Sequence, residues 1–340
     1  MTLVPYVVSR ALFECTGWAA NLLLPFARPQ DPAHHPALRP WLSWDAVHYL
    51  AIARNGYPTQ PGAFNQGMFP LLPLLLRSVG GSDAASLLLS FGLGLGGLSL
   101  MVALTRALFD AGLAARVAWI AALWPVGMIW SAVYTEGLFL ALATGCLWGA
   151  WRGRPLVAGV LGILAGACRP PGVALLLPML FLLPAGWARL AALGPPLGLV
   201  LFSAYLWIVT GDPLALAHSQ MSHPHVAVWQ PWTGVAEALR QTARGGGELT
   251  FELLFLPVLA GLVVALTRLD RWRGAALAMA LAMIGPVLLA GTLNSLCRYA
   301  MVVFPLYWQA ARLPTWVLAG IGIPAAVIVT MLASTGRLTP

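Results

Sequence analysis

The chain is predicted to be an all-α polytopic membrane protein with about eleven transmembrane helices and a large first extracytoplasmic loop carrying interfacial helices. Three observations predict this. Of 340 residues, 59% are hydrophobic and only 9% are charged, where a soluble domain carries roughly 25%. A soluble protein so poor in charge could not cover its surface. Apolar runs near the length of a bilayer-crossing helix, about 20 residues, recur almost end to end. The polar residues gather in two long stretches between those runs. A soluble domain, a disordered chain and a nucleic-acid binder are thereby excluded. The net charge of +8 comes from arginines spread thinly between apolar runs, which is not a nucleic-acid footprint.

The elements follow in order. The first run, 4–26, has the position of a signal peptide, but Arg10 and Glu14 interrupt its core. No small-residue cleavage site follows, so it is expected to stay as a span. Arg10 and Glu14 are four apart on one helical face and are expected to neutralise each other within the bilayer. Residues 27–68 form a long polar loop rich in proline, histidine and aromatics, and loops of that length are usually functional. Further spans are expected at 84–106, 114–133, 136–151, 155–168, 172–186, 190–210, 249–267, 274–292, 299–312 and 314–333. Those at 155–168, 172–186 and 299–312 are short, which predicts broken or tilted helices. A second polar loop, 211–248, holds Asp212, His218, His223, His225 and the run Gly245-Gly246-Gly247. That run follows no strand and reads as a hinge. The whole chain, 1–340, forms one integral membrane domain.

Orientation comes from arginine in tight connectors, which marks the cytoplasmic side. Arg106 to Arg116, Arg152 with Arg154, and Arg268, Arg271 and Arg273 are three such connectors. Placing them inside puts both long loops outside, with the turns near Glu136, Arg169 and Arg298. The polar residues most capable of chemistry thus cluster on one face of the membrane, taken to be the plasma membrane.

All 19 basic residues are arginine; the chain has no lysine. A P-loop ATPase needs a lysine at its phosphate loop, and a pyridoxal enzyme or Schiff-base aldolase needs a lysine amine. Any activated group must arrive with the substrate. Cys15, Cys146, Cys168 and Cys297 sit singly in apolar stretches and read as packing residues. His218, His223 and His225 have no interleaved acid, and Pro224 stands among them, so no metal is expected.

Four motifs carry candidate chemistry. Ser43 to Tyr57 reads as a three-turn helix, with Ser43 as N-cap and Asn55-Gly56 as its stop. Spacing puts Asp45, His48, Tyr49 and Ile52 on one stripe. Asp45 is either a general base for a hydroxyl or an acid favoured in its own helix's first turn. Between the first two, Met68 to Arg77, with Pro70 and Pro73, predicts a re-entrant or interfacial segment that by itself carries no chemistry. Glu136, after Thr135, is either an acid at membrane depth or a helix-start residue. Arg169, before Pro170-Pro171-Gly172, and Arg298, before Tyr299, suit a phosphate oxyanion, because the guanidinium fork can bind two oxygens.

Together these motifs resemble the PIG-V family of membrane mannosyltransferases, the glycosylphosphatidylinositol mannosyltransferase 2 type with its bacterial relatives. The resemblance rests on Trp44-Asp45-Ala46-x-His48-Tyr49-Leu50-x-Ile52-Ala53-x-x-Gly56-Tyr57 and Phe69-Pro70-x-x-Pro73-Leu74. It continues in order through Tyr134-Thr135-Glu136-x-Leu138-Phe139, Arg169-Pro170-x-Gly172, Gly211-Asp212-Pro213-Leu214 and Arg298-Tyr299-x-x-x-x-Phe304-Pro305. Leu72 stands where an aromatic is usual.

The resemblance implies the GT-C superfamily, whose members take a sugar from a polyprenyl-phosphate donor on the outer or lumenal side. It implies inversion at the anomeric carbon with Asp45 as base, donor phosphate on Arg298 and Arg169, and His48, Tyr49, Glu136 and Tyr299 at the substrate. Mannose is the implied sugar, with a lipid or glycan acceptor; no cofactor is expected, and the sequence, which offers no acidic cluster for a divalent cation, predicts metal independence. Two other readings are a lipid flippase or transporter and a non-catalytic subunit of a transferase complex. No internal repeat favours the former, and the presence of Asp45 and Arg298 speaks against the latter.

Overall fold

A computed structural model describes residues 1–24, 38–221, 230–245, 248–291 and 293–338. His223, His225, Gly246 and Gly247, with most of the loop before residue 38, lie outside the described residues. The described chain is all-helical. Four of its helices are long and apolar enough to cross a membrane: Asp83–Leu108, Trp187–Thr210, Leu249–Arg268 and Thr315–Ser334. Four shorter apolar helices accompany them: Ala111–Ala122, Pro155–Gly166, Pro170–Leu182 and Arg273–Leu289.

The α-helices run α1 (Leu3–Leu23), α2 (Arg39–Leu42), α3 (Asp45–Asn55), α4 (Leu71–Ser78), α5 (Asp83–Leu108), α6 (Ala111–Ala122), α7 (Glu136–Trp151), α8 (Pro155–Gly166) and α9 (Leu176–Leu182). They continue with α10 (Gly194–Thr210), α11 (Ala215–Met221), α12 (Pro231–Ala243), α13 (Glu248–Ala265), α14 (Arg273–Leu289), α15 (Leu296–Met301), α16 (Pro305–Ala310), α17 (Thr315–Val317) and α18 (Ile323–Ser334). A π-helical stretch, 318–322, joins the last two into one rod.

The centre of the molecule is a row of neighbours, α5 on α7, α7 on α8 and α8 on α10, with α1 packed on α18 and α14 on α9. Close approach in this row depends on small residues. A Cβ on Gly137 would lie 2.7 Å from the Gly94 Cα, so α5 and α7 touch backbone to backbone at the first turn of α7. That contact fixes the height of Glu136, the residue before Gly137.

The expected span at 114–133 is not one helix. It divides into α6 and a 3-10 turn, Gly127–Trp130, after Pro125. Proline lacks the N–H that would continue the helix ladder. The broken segment is nonetheless buried, so its carbonyls need donors from elsewhere. Helix α1 supplies them. Arg10 donates through Nη1 to Gly127 O at 2.6 Å and through Nη2 to Ala122 O at 2.9 Å. The Tyr6 hydroxyl donates to Trp130 O at 3.0 Å.

Arg10 and Glu14 therefore make no direct ion pair, and the mutual neutralisation expected from the sequence acts only through electrostatic reach along the helix. Arg10 faces inward onto open carbonyls and over the Tyr6 and Phe13 rings, while Glu14, one turn along the same face, is exposed and within electrostatic reach of Arg10. The run at 299–312 is broken as expected, into α15 and α16.

Candidate functional site

Four charged side chains from four distant stretches meet at one end of the central row. Asp45 is the first residue of α3 and Glu136 the first of α7. Arg169 precedes the 3-10 helix Pro170–Leu175, and Arg298 is the third residue of α15. All four stand at element starts, where a chain can change direction and still place a side chain firmly.

The local backbone is unusual at two of these starts. Among the described residues only Trp44, Trp272 and Ser295 are non-glycine residues with positive φ. Trp44, at φ 61°, immediately precedes Asp45, and Ser295, at φ 59°, lies three residues before Arg298. Such conformations cost of order 1–3 kcal/mol and concentrate at functional sites. Ser43 is accordingly not the N-cap of α3. Its hydroxyl donates to Arg39 O at 2.5 Å, and Trp44 takes the cap position. The stop is as expected, with Gly56 at φ 80°.

The ion network is continuous. Arg169 Nη1 donates to Glu136 Oε1 at 2.8 Å. Arg298 Nε donates to the same oxygen at 2.5 Å. Arg298 Nη2 reaches Asp45 Oδ2 at 2.5 Å. Asp45 thus makes an ion pair rather than a capping bond in its own first turn. Two cations and two anions make the group neutral overall, the condition under which buried charge is tolerated.

Exposure falls along the contacts from Asp45 to Glu136 and stays low at Arg169. The side chain of Asp45 is 28% exposed and that of Arg298 11%, while Arg169 is 6% and Glu136 0% exposed. Asp45 is the member that meets the surroundings. Glu136 is an internal counter-ion holding both arginines by one oxygen. Its other oxygen, Oε2, is buried without a hydrogen-bond partner among the described residues.

Aromatic faces enclose the guanidinium groups. Arg298 lies 4.7 Å from the Tyr134 ring centroid. Arg169 lies 5.5 Å from Tyr299 and 5.6 Å from Phe139. A cation over a desolvated ring is worth roughly 2 kcal/mol, which helps retain the arginines in an apolar setting. Tyr49, one turn past Asp45, is buried and lies within electrostatic reach of all four charges.

His48 points differently. Its Nδ1 lies 2.7 Å from Asn65 Oδ1, and its ring packs on Phe64 at 4.6 Å between centroids. The structure thus joins Asp45, Glu136, Arg169, Arg298, Tyr49 and Tyr299, and sets His48 on an adjoining shelf. Asp212 is separate: His218 Nδ1 donates to its Oδ2 at 2.7 Å. No group of three or more His, Cys, Asp or Glu fit for a metal ion occurs among the described residues.

One buried acid behind the cluster escaped the sequence reading. Glu252, in α13, is buried, and its Oε2 accepts the Cys297 N–H at 2.9 Å. Trp124 Nε1 donates to the carbonyl of the same residue at 3.1 Å. Together they grip both sides of Cys297 and so fix the peptide that carries Arg298. The available signal was a lone acid inside the apolar run 249–267, since an ionisable residue in such a run is a candidate by default.

No protein-family model matches the chain, and no curated protein is significantly similar to it. The site's chemistry must speak for itself. Two half-caged arginines offer an anion site, and a partly exposed carboxylate beside them offers a base.

Proposed function

We propose that the chain is a membrane glycosyltransferase of the GT-C kind. It transfers a sugar, mannose by the resemblance, from a polyprenyl-phosphate donor to a lipid or glycan acceptor with inversion. In this reading the plasma membrane is crossed about eleven times, through the four long helices, the shorter ones and broken segments, and the ion cluster lies on the extracytoplasmic side.

The observation that carries the proposal is the ion pair between the exposed acid and the arginine. Asp45 and Arg298 touch, and Arg169 stands behind them through Glu136. An inverting transfer needs one base on the acceptor side and positive charge on the leaving-group side. Asp45 takes the proton from the acceptor hydroxyl as its oxygen attacks the anomeric carbon. The bond from that carbon to the phosphate oxygen breaks, and the polyprenyl phosphate leaves with the electron pair. Arg298 and Arg169 face the charge that develops there.

Donor phosphate also competes with Asp45 for Arg298. Its arrival loosens the pair and frees the carboxylate to act as base. The activated bond comes with the lipid, which suits a chain without lysine or a nucleotide-binding motif.

The test is incubation of purified protein with labelled polyprenyl-phosphate sugars and lipid extracts. Transfer by the wild type, lost in Asp45→Asn while the protein still accumulates, is expected. Equal turnover in that variant would sink the assignment, and chelator is expected to leave turnover unaltered.

A further inference from the structure

The end of the molecule away from the ion cluster holds its arginines differently. Helix α7 begins at Glu136 and runs for 16 residues to Trp151, about 24 Å at 1.5 Å per residue. Helix α14 begins at Arg273 and runs for 17 residues, much the same length, towards the stretch that bears Arg298. The bond from Arg298 to Glu136 ties the two together at one end. At the other end the Trp151 and Trp272 rings lie 6.2 Å apart. The separation of the two ends thus approaches the ~30 Å hydrocarbon core of a bilayer.

A row of aromatic rings gathers several connectors at this second end. Trp272 lies 5.7 Å from Trp308, and Trp308 lies 5.2 Å from Phe109. Along the row stand Arg152 and Arg154 after α7, Arg268, Arg271 and Arg273 around Trp272, and Arg312 after α16. All six are exposed. Arg152 lies 4.8 Å from the Trp151 centroid and Arg312 6.0 Å from that of Phe109. Trp272 has a left-handed backbone, φ 65°. Its ring is buried in the row, while Arg271 and Arg273 on either side of it reach outward.

None of the six has a carboxylate partner among the described residues. The arginine ion pairs there belong to Arg54, Arg169, Arg240 and Arg298. One acid, Asp270, stands in the same connectors. The nearby Asp110 spends its carboxylate on its own helix, accepting the Leu113 N–H at 2.8 Å. The bias of arginine towards the cytoplasm accounts for the side of the membrane. It does not account for arginines massed on one aromatic row without counter-ions, so the balancing charge has to come from outside the chain.

Exposed apolar side chains adjoin the same arginines. Leu156 and Val157 follow Arg154, Val264 precedes Arg268, and Trp316 follows Arg312. Leu156 is 78% and Trp316 70% exposed. A soluble anion gains nothing from such neighbours. A phospholipid gains from both: its phosphate meets the guanidinium fork, and its acyl chains lie along the apolar side chains.

We propose that this end is a docking surface for anionic phospholipids of the cytoplasmic leaflet. The row collects the phosphates of several lipids along the arginine rim and is not a pocket for one. This rests on the chain crossing the bilayer with its ion cluster outside, and not on transferase chemistry.

The experiment uses the full chain, delipidated in a neutral detergent. Native mass spectrometry follows the binding of dioleoyl phosphatidylglycerol against dioleoyl phosphatidylcholine, which has the same chains and no net charge. Glycerol phosphate is the soluble competitor. Phosphatidylglycerol is expected to bind about tenfold more tightly, with a preference that shrinks as salt is raised.

Arg152→Gln with Arg271→Gln is expected to lose about tenfold in phosphatidylglycerol affinity and to leave phosphatidylcholine binding unmoved. Arg312→Gln alone is expected to lose about threefold, so the outcome does not hang on one variant. Arg240→Gln with Arg244→Gln takes the same charge from α12, which packs near the far end of α14 through Thr233 and Gly291, and is expected to keep the preference. Equal affinity for the two lipids overturns the proposal, and so does an equal loss in the two paired variants. Displacement of lipid by glycerol phosphate at matched concentration overturns it as well, because the site is then one for soluble anions.

Discussion

Two places in this molecule bury arginine, and they do so by opposite means. Arg10 sits 2% exposed and is met by the neutral carbonyls of Gly127 and Ala122, two hydroxyls and two aromatic faces. Its partners are backbone groups in fixed positions, and their number is complete enough to leave only Nε unbonded among the described residues. Arg298 is met by two carboxylates, one wholly buried and one at the rim. The first arrangement repairs a broken helix and has nothing to exchange. The second is held by ions that a competing anion can replace. Burial of a charge is thus not itself evidence of chemistry; the kind of partner decides.

The sharpest way to break this comparison is Asp45→Asn. If the rim carboxylate is the base, turnover falls by about 10²–10⁴-fold, the range for a positioned acid–base group. Thermal unfolding of the detergent-solubilised protein is expected to shift far less than activity. A variant that loses stability and activity in step would make Asp45 a packing residue and put it in Arg10's class.

Glu136→Ala comes next. It removes the shared counter-ion and leaves two cations facing each other. Breaking a buried pair costs about 3–5 kcal/mol, so the protein is expected to accumulate poorly and to unfold at much lower temperature. Glu136→Gln, which keeps an acceptor for one arginine, is expected to fold better and to hold donor more weakly. Unchanged unfolding in Glu136→Ala would refute the role of internal counter-ion.

Arg10→Met tests the other side. It strands the Gly127 and Ala122 carbonyls, at about 1–3 kcal/mol each. The melting temperature falls, yet the turnover of each folded molecule stays near wild type. A selective loss of turnover would show that the broken segment Trp124 to Thr135 transmits strain to Glu136.

Legibility in the sequence followed the same division. The runs at 84–106, 190–210, 249–267 and 314–333 match the four long helices closely, because a continuous apolar stretch has few other ways to satisfy its backbone. Asp45, Glu136, Arg169 and Arg298 were legible as costly residues, but not that one Glu136 oxygen joins both arginines. That contact depends on α5 and α7 touching at Gly94 and Gly137, a long-range fact that no local spacing carries. The direct partners of Arg10 were missed for a related reason. Its i,i+4 partner was visible in the sequence, whereas the open carbonyls left by Pro125 became visible only when α1 crossed them.

The smallest effect is expected at Asp212, away from the cluster. Its carboxylate accepts the Leu214 N–H at 2.9 Å and the His218 Nδ1–H at 2.7 Å, and these bonds, the backbone one first, hold its pKa below the ordinary value of 3.8. A lowered carboxylate pKa means the folded state prefers the ion. The stabilisation is therefore fully present above pH ~4 and is lost as pH falls through the lowered value. Hydrogen exchange at the start of α11 checks this. Asp212→Asn is expected to open that turn at neutral pH and to match the wild type below the titration.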